Sequence, residues 1–248
     1  MTAEPAGDSA LKAETERFRR LAATWWDPAG PMRPLHLINP ARLDYLVGQL
    51  RRRLWPKAEG RLDGLRLLDL GCGAGLVSEP LARLGATVVA VDAVAEALEL
   101  ARARALRQGL AIDYRHGTAE TLAATGERFD GVLALEVLEH VAAPRPFLAT
   151  LSMLTRPGGL LLLSTLNRTL AGYVLGIFAA ERLLRLVPRG THDWQRFVRP
   201  AELRNWLAEN GADLVDVTGL SLDPLGSSAR LGGSTAVNYL ATAVKRTS

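Results

Sequence analysis

The sequence predicts an α/β domain built on a mostly parallel sheet with helices on both faces. Three observations carry that prediction. Short apolar or β-branched runs alternate with helical stretches from Leu65 to Val244. Two of those runs end in ligand-friendly features: Leu65–Leu70 runs into a glycine cluster, and Thr87–Val91 stops at Asp92. The chain of 248 residues, 48% of them hydrophobic, is long enough for one such domain with additions.

The first ten residues are polar and read as unstructured. An amphipathic helix is expected from Leu11 to Ala23. Trp25-Trp26-Asp27-Pro28 breaks it, and a proline-rich stretch runs to Pro34. A second helix is expected over Pro40–Leu54. Together these make residues 1–60 a helical extension of a domain spanning 61–248. In that domain Leu65–Leu70 is the first strand, Leu76–Leu84 a helix and Thr87–Val91 the second strand. Ala95–Gln108 is a helix closed by Gly109. Ile112–Tyr114 and Phe129–Leu135 are the third and fourth strands, and a helix follows. Pro157-Gly158-Gly159 turns into the fifth strand, Leu160–Leu166. Residues 168–199 read as an insertion. The helix Pro200–Asn210 and the strands Asp213–Thr218 and Ala236–Val244 complete a seven-stranded set.

Composition narrows the class. Net charge is +4, and of the 30 basic residues only Lys12, Lys57 and Lys245 are lysines. The densest basic cluster is Arg51-Arg52-Arg53, which reads as a solvated helix face. No coherent basic stripe is present, so no nucleic-acid partner is expected. One cysteine, Cys72, excludes an intramolecular disulfide and points to a reducing compartment. The N-terminus lacks a basic-then-apolar targeting pattern. No apolar run reaches the roughly 20 residues that span a bilayer. The expected location is the cytoplasm, with the inner face of the cytoplasmic membrane as a peripheral site.

The segment Leu67-Leu-Asp69-Leu-Gly71-Cys-Gly73-Ala-Gly75 carries the first chemistry. Ligands of such sheets bind beyond the carboxyl ends of the strands. Glycines let backbone approach a ligand, and the helix that follows offers unpaired N–H groups. The glycines run G-x-G-x-G, whereas a dinucleotide loop wants G-x-G-x-x-G. A dinucleotide-binding fold is the competing reading. Asp92 follows Gly71 by 21 residues and ends the next strand, where a carboxylate can accept from both hydroxyls of a ribose. This strand–loop–helix–strand–Asp ensemble resembles the signature of class I methyltransferases. The resemblance implies a Rossmann-like fold and S-adenosylmethionine as methyl donor. Asp69 would then favour the cationic methionine end and Asp92 the ribose, with Cys72 a small loop filler.

Three further segments sharpen the resemblance. They are Trp25-Trp26-Asp27-Pro28 continuing to Leu35-His-Leu-Ile-Asn39-Pro40-Ala-Arg42-Leu43, Glu136-Val-Leu-Glu139-His140-Val141, and Ser164-Thr-Leu-Asn167-Arg168 with Pro188-Arg-Gly-Thr191-His192-Asp193 beyond it. Together they resemble the ubiquinone-biosynthesis O-methyltransferases, from about Phe18 to the C-terminus. That family methylates hydroxyls of polyprenylated catechols and of demethylubiquinol. The resemblance implies cofactor contacts at Arg42, Gly71, Asp92 and Leu135, beside Asp69 and Gly73 of the loop. A guanidinium at Arg42 can hold the methionine carboxylate in bidentate fashion. The bland alternative is a surface arginine on a helix. The Trp25–Arg42 segment reads as a lid over the cofactor, or as a helical hairpin packed elsewhere.

If Glu136 begins or closely precedes a helix, Glu136, Glu139 and His140 share one face. Two carboxylates and an imidazole suit a divalent cation such as Mg²⁺ or Zn²⁺. A cation would lower the proton affinity of a bound phenol oxygen, and some members of the resembled family need one. The competing expectation makes His140 a general base, or a residue that only orients the loop. The apolar stretch 170–187 within the insertion can lie at a membrane interface, cap the acceptor pocket or contact a second copy. His192 and Asp193 rank as secondary candidates. Two other functions stay open: methylation of another phenolic or acidic metabolite, and cofactor binding without catalysis at a membrane. A biosynthetic complex is a further expected partner.

Overall fold

A computed structural model describes residues 12–54, 61–173, 194–222 and 228–247. The sheet has strands β1 (Arg66–Leu70), β2 (Thr87–Asp92), β3 (Ile112–His116), β4 (Phe129–Leu135), β5 (Thr155–Leu166), β6 (Ala212–Leu222), β7 (Ala229–Leu231) and β8 (Asn238–Lys245). The described helices are α1 (Lys12–Leu21), α2 (Arg33–Leu54), α3 (Ser78–Arg83), α4 (Ala95–Arg107), α5 (Ala119–Ala123), α6 (Pro144–Leu154) and α7 (Pro200–Glu209). Strand order is β3-β2-β1-β4-β5-β8-β6-β7. The first five strands pair in parallel, and β8 enters antiparallel between β5 and β6. The order reverses between β1 and β4, and a crevice opens there beyond the strand ends.

Side-chain alternation divides the core into two layers. Leu67, Val88, Leu133, Leu162 and Leu240 face α2, α3 and α4. Leu68, Val89, Val132, Leu163 and Ala241 face α5, α6 and α7. Both faces of the central strands are apolar, as a sheet covered on both sides requires. Asp69 shares the parity of Leu67, so it points toward α2 and α3.

Three boundaries differ from expectation. The sheet has eight strands, because the three-residue β7 pairs with the far end of β6. A run so short carries no periodic signal. Helix α2 begins at Arg33, not Pro40, and Pro40 lies inside it. Proline normally opens or breaks a helix. Here Pro34 occupies the first turn, and the buried face from Ile38 to Leu50 holds the helix across Pro40. The Pro157-Gly158-Gly159 turn is a bulge within β5, where the register jumps between the pairs Phe129↔Thr155 and Gly131↔Leu160.

Candidate active site

The cofactor loop leaves β1 at the crevice. Gly71 and Gly73 have φ of +72° and +52°. A Cβ on Gly71 would stand 2.6 Å from Val137, and one on Gly73 2.1 Å from the Trp25 ring. Both positions therefore need glycine for conformation and for space. Asp92 holds the loop from the next strand. Its Oδ2 accepts from the Gly73 N–H at 2.7 Å and its Oδ1 from the Val94 N–H at 2.8 Å. Each oxygen keeps a lone pair for a ribose hydroxyl. Asp69 is buried and accepts from the Ser78 hydroxyl at 2.5 Å. Burial pushes its carboxyl up to about 6, against the pull of Ser78 and of Arg42. Burial likewise pushes the Cys72 thiol well up, which fits an inert loop filler.

Arg42 is not a surface residue: it is 3% exposed, on the inner face of α2. Burial lowers its pKa, and the nearby Glu136 and Asp69 carboxylates oppose that. Its Nη2 donates to Asn39 Oδ1 at 2.8 Å, and Asn39 Nδ2 donates to the Leu76 carbonyl at 2.9 Å. Asn39 thus ties the guanidinium to the cofactor loop. Nε of Arg42 is buried without a hydrogen-bond partner. A buried donor left unmatched costs free energy that an anionic ligand recovers. The sequence pointed to Arg42 and passed over Asn39, although Asn39-Pro-Ala-Arg42 sets the two on one helix face, three residues apart.

The segment before α2 lies over the loop. Trp26 Nε1 donates to the Ala74 carbonyl at 3.0 Å, and the Arg104 guanidinium stacks 3.6 Å from the Trp26 ring centroid. Arg104 Nε is itself 3.0 Å from the buried Glu79 carboxylate. His36 Nε2 pairs with the Trp25 carbonyl at 2.8 Å. Trp25, Met32, Ala74, Leu76 and Val94 form one apolar cluster. The aromatic pair is fastened to the cofactor loop rather than packed elsewhere.

Glu136 does not begin a helix. Its φ is +54°, fixed by its N–H donating to Ser164 Oγ at 3.0 Å, and only a three-residue 3₁₀ turn, Leu138–His140, follows. The three candidate side chains take separate partners. Glu136 Oε1 accepts from Ser164 Oγ at 2.7 Å. Glu139 is buried, its Oε2 accepting from the Thr165 hydroxyl at 2.7 Å. Burial, and then the neighbouring Glu136 charge, push its carboxyl well up. Glu139 Oε1 has no hydrogen-bond partner. His140 Nδ1 lies 2.9 Å from Glu14 Oε2 on α1, with Phe18 edge-on at 5.2 Å between ring centroids. The hydrogen bond with His140 holds the Glu14 carboxyl below the usual range. Among the described residues, no three His, Cys, Asp or Glu side chains are gathered as a metal ion requires. Glu14 had no sequence signal, since α1 meets His140 only in the folded chain. His192 and Asp193 lie outside the described residues.

One cavity of about 360 Å³ joins these parts. It runs from Asp92 and Gly71 past Leu135 and Glu136 to an apolar end at Leu166, Leu222 and Val237. That volume lies within the usual range of small-molecule sites, roughly 300–1,000 Å³. Fold, loop and cavity together define a class I methyltransferase that uses S-adenosylmethionine. A methyltransferase-domain family model matches residues 41–217. Among solved structures, magnesium protoporphyrin IX methyltransferase from Synechocystis PCC 6803 with bound SAH matches at TM-score 0.63 and 25% identity, over 94% of this chain and 95% of that one. The same enzyme with bound SAM matches at TM-score 0.61 and 21% identity, over 96% of this chain and 100% of that one.

Curated relatives place the chain more closely. The ubiquinone biosynthesis O-methyltransferase of Brucella anthropi is 48% identical over 233 residues, 93% of this chain and 94% of that one. The protein of the same name from Dinoroseobacter shibae is 46% identical over 236 residues, 94% and 95% of the two chains. The chain belongs to the ubiquinone biosynthesis O-methyltransferase family.

Proposed function

We propose that this protein transfers the methyl group of S-adenosylmethionine to phenolic hydroxyls of ubiquinone precursors, a polyprenyl catechol and demethylubiquinol. The observation that carries the reading is the single cavity that joins the cofactor loop to an apolar end past Glu136. A polar ring fits beside Glu136, and a prenyl tail suits the walls beyond it.

When bound, S-adenosylmethionine supplies an electrophilic methyl on a sulfonium that leaves as a neutral thioether. The chain's work is to hold and align. Arg42 binds the methionine carboxylate, Asp69 attracts the cationic end, Asp92 takes the ribose hydroxyls and Leu135 forms an apolar wall for the adenine. Gly71 and Gly73 let the backbone close on the ligand. Fixing the acceptor oxygen in line with the sulfur supplies most of the acceleration.

Two readings of proton removal each have an observation behind them. The Glu14–His140 contact favours His140 as general base, oriented by Glu14. The unpartnered Glu139 Oε1 beside Glu136 favours a divalent cation such as Mg²⁺ or Zn²⁺, which these two carboxylates would hold. That cation would acidify the phenol. Chelation separates the two: loss of activity restored by either metal selects the cation, and unchanged activity selects the histidine.

Residues 1–60 serve this domain as a lid, and residues 61–248 carry the transferase fold. Leu170 and Tyr173, at the start of the insertion, are exposed apolar side chains. They support peripheral membrane contact through 170–187, most of which lies outside the described residues. No described helix is long and apolar enough to cross a membrane. We place the protein in the cytoplasm or at the inner membrane face, where a membrane-borne substrate or a biosynthetic complex would meet it. Expression in a bacterium lacking its ubiquinone O-methyltransferase tests the function. Restored ubiquinone is expected. Accumulation of unmethylated precursor despite soluble protein would reject the reading.

A further inference from the structure

A row of side chains crosses the α2-facing side of the sheet at the crevice. Asp69 and Leu135 mark its cofactor half. Ser164 pairs with Leu135 across β4 and β5, and Leu166 pairs with Asn238 across β5 and β8. Asn238 has the parity of Leu240 and Thr242 on β8. Leu240 belongs to the core layer under α2, and Thr242 shares a hydrogen bond of 2.8 Å with Tyr45 of α2. Asn238 therefore opens onto the same face as Arg42 and Asp69. It stands two strands beyond Leu135, roughly 10 Å at the usual strand spacing.

The side chain lines the cavity, and its Oδ1 is buried with no hydrogen-bond partner. Around it are Leu166, Leu222 and Val237, which offer no donor. A buried amide oxygen without a donor is costly in the folded chain and is recovered by a ligand hydroxyl. Glu136 lies between this oxygen and the cofactor loop, close to where the reacting oxygen must sit.

We propose that Asn238 is a specificity-determining residue whose Oδ1 accepts a hydrogen bond from the second hydroxyl of an ortho-dihydroxylated ring, while the first hydroxyl attacks the methyl group. Asn238 thereby selects a catechol over a phenol with a single hydroxyl. The inference rests on the phenolic reading of the acceptor given above.

The test compares a short-chain prenyl catechol with its monohydroxy isostere in wild type and Asn238→Ala. Binding is measured by calorimetry with S-adenosylhomocysteine present, and kcat/KM is measured separately. Wild type should prefer the dihydroxy acceptor by about 10-fold to 100-fold, the weight of one buried hydrogen bond. The alanine variant should lose that preference, bind both acceptors alike and keep its affinity for S-adenosylhomocysteine. A merely structural Asn238 would weaken both acceptors equally and leave the ratio unchanged, which overturns the proposal. Wild type alone also decides, since equal affinity for the two acceptors contradicts it whether or not the variant folds. Binding without any methyl transfer by wild type would fail the phenol-methylating reading, while the binding ratio would still judge Asn238.

Discussion

At the scale of single residues the crevice holds two buried charges of opposite sign, Asp69 and Arg42, which we propose meet the methionine end of the cofactor. Asp69 is held near 6 by burial, so it is ionised at pH 7 and largely neutral at pH 5. The ionised form is the one that attracts a cation. Affinity for S-adenosylmethionine should therefore fall about 10-fold between pH 7 and pH 5, with proton release on binding at the acid end. Calorimetry in buffers of different ionisation enthalpy measures both, and Asp69→Asn should flatten the profile. Asn39 gives a second expectation. Asn39→Ala frees Arg42 from the Leu76 carbonyl, so S-adenosylhomocysteine should bind roughly 10-fold more weakly. Methylthioadenosine, which has no carboxylate, should bind as to wild type. Equal losses for both ligands would remove Asn39 from this role. The turn at Gly71 and the place of Asp92 at the end of β2 were legible in the sequence because loop conformation and strand ends are local properties, whereas Arg42 came from the family resemblance. The separate partners of Glu136, Glu139 and His140 were not legible. They depend on a left-handed Glu136 whose N–H and carboxylate both meet Ser164, 28 residues away in sequence.

At the scale of elements the N-terminal segment and the cofactor loop act as one unit. Trp25 fills the space a side chain on Gly73 would need, and Trp26 donates to Ala74. Gly73→Ala should unseat Trp25 and strain the loop together, since φ there is +52°. Cofactor affinity is expected to drop by at least about 10-fold, with a change in tryptophan fluorescence. Wild-type affinity with unchanged fluorescence would show that the ring does not press on the loop. The parallel strands and their helices were readable from alternation and turn residues. The start of α2 was not, because Pro40 signals a helix start and the burial of Ile38 and Ala41 overrides that signal. The short β7 exists only through its pairing with β6.

At the scale of the whole molecule the sheet order converts a linear motif list into one cavity. Reversal between β1 and β4 opens the crevice, and the antiparallel β8 carries Asn238 to the part of it away from the glycine loop. Sequence motifs named the donor half and implied the acceptor through family resemblance. They could not show that Glu14 on α1 and His140 after β4 share that cavity, because such contacts depend on the closed fold. The proposed reaction moves a methyl group across this cavity from sulfur to a phenolic oxygen. The direct measurement supplies the purified protein with ¹³C-methyl S-adenosylmethionine and a short-chain demethylubiquinol kept reduced, and follows the label by NMR. An aryl methoxy resonance on the quinol is expected, with S-adenosylhomocysteine formed in equal amount. Label that stays on the donor, or appears on carbon or nitrogen, would contradict it.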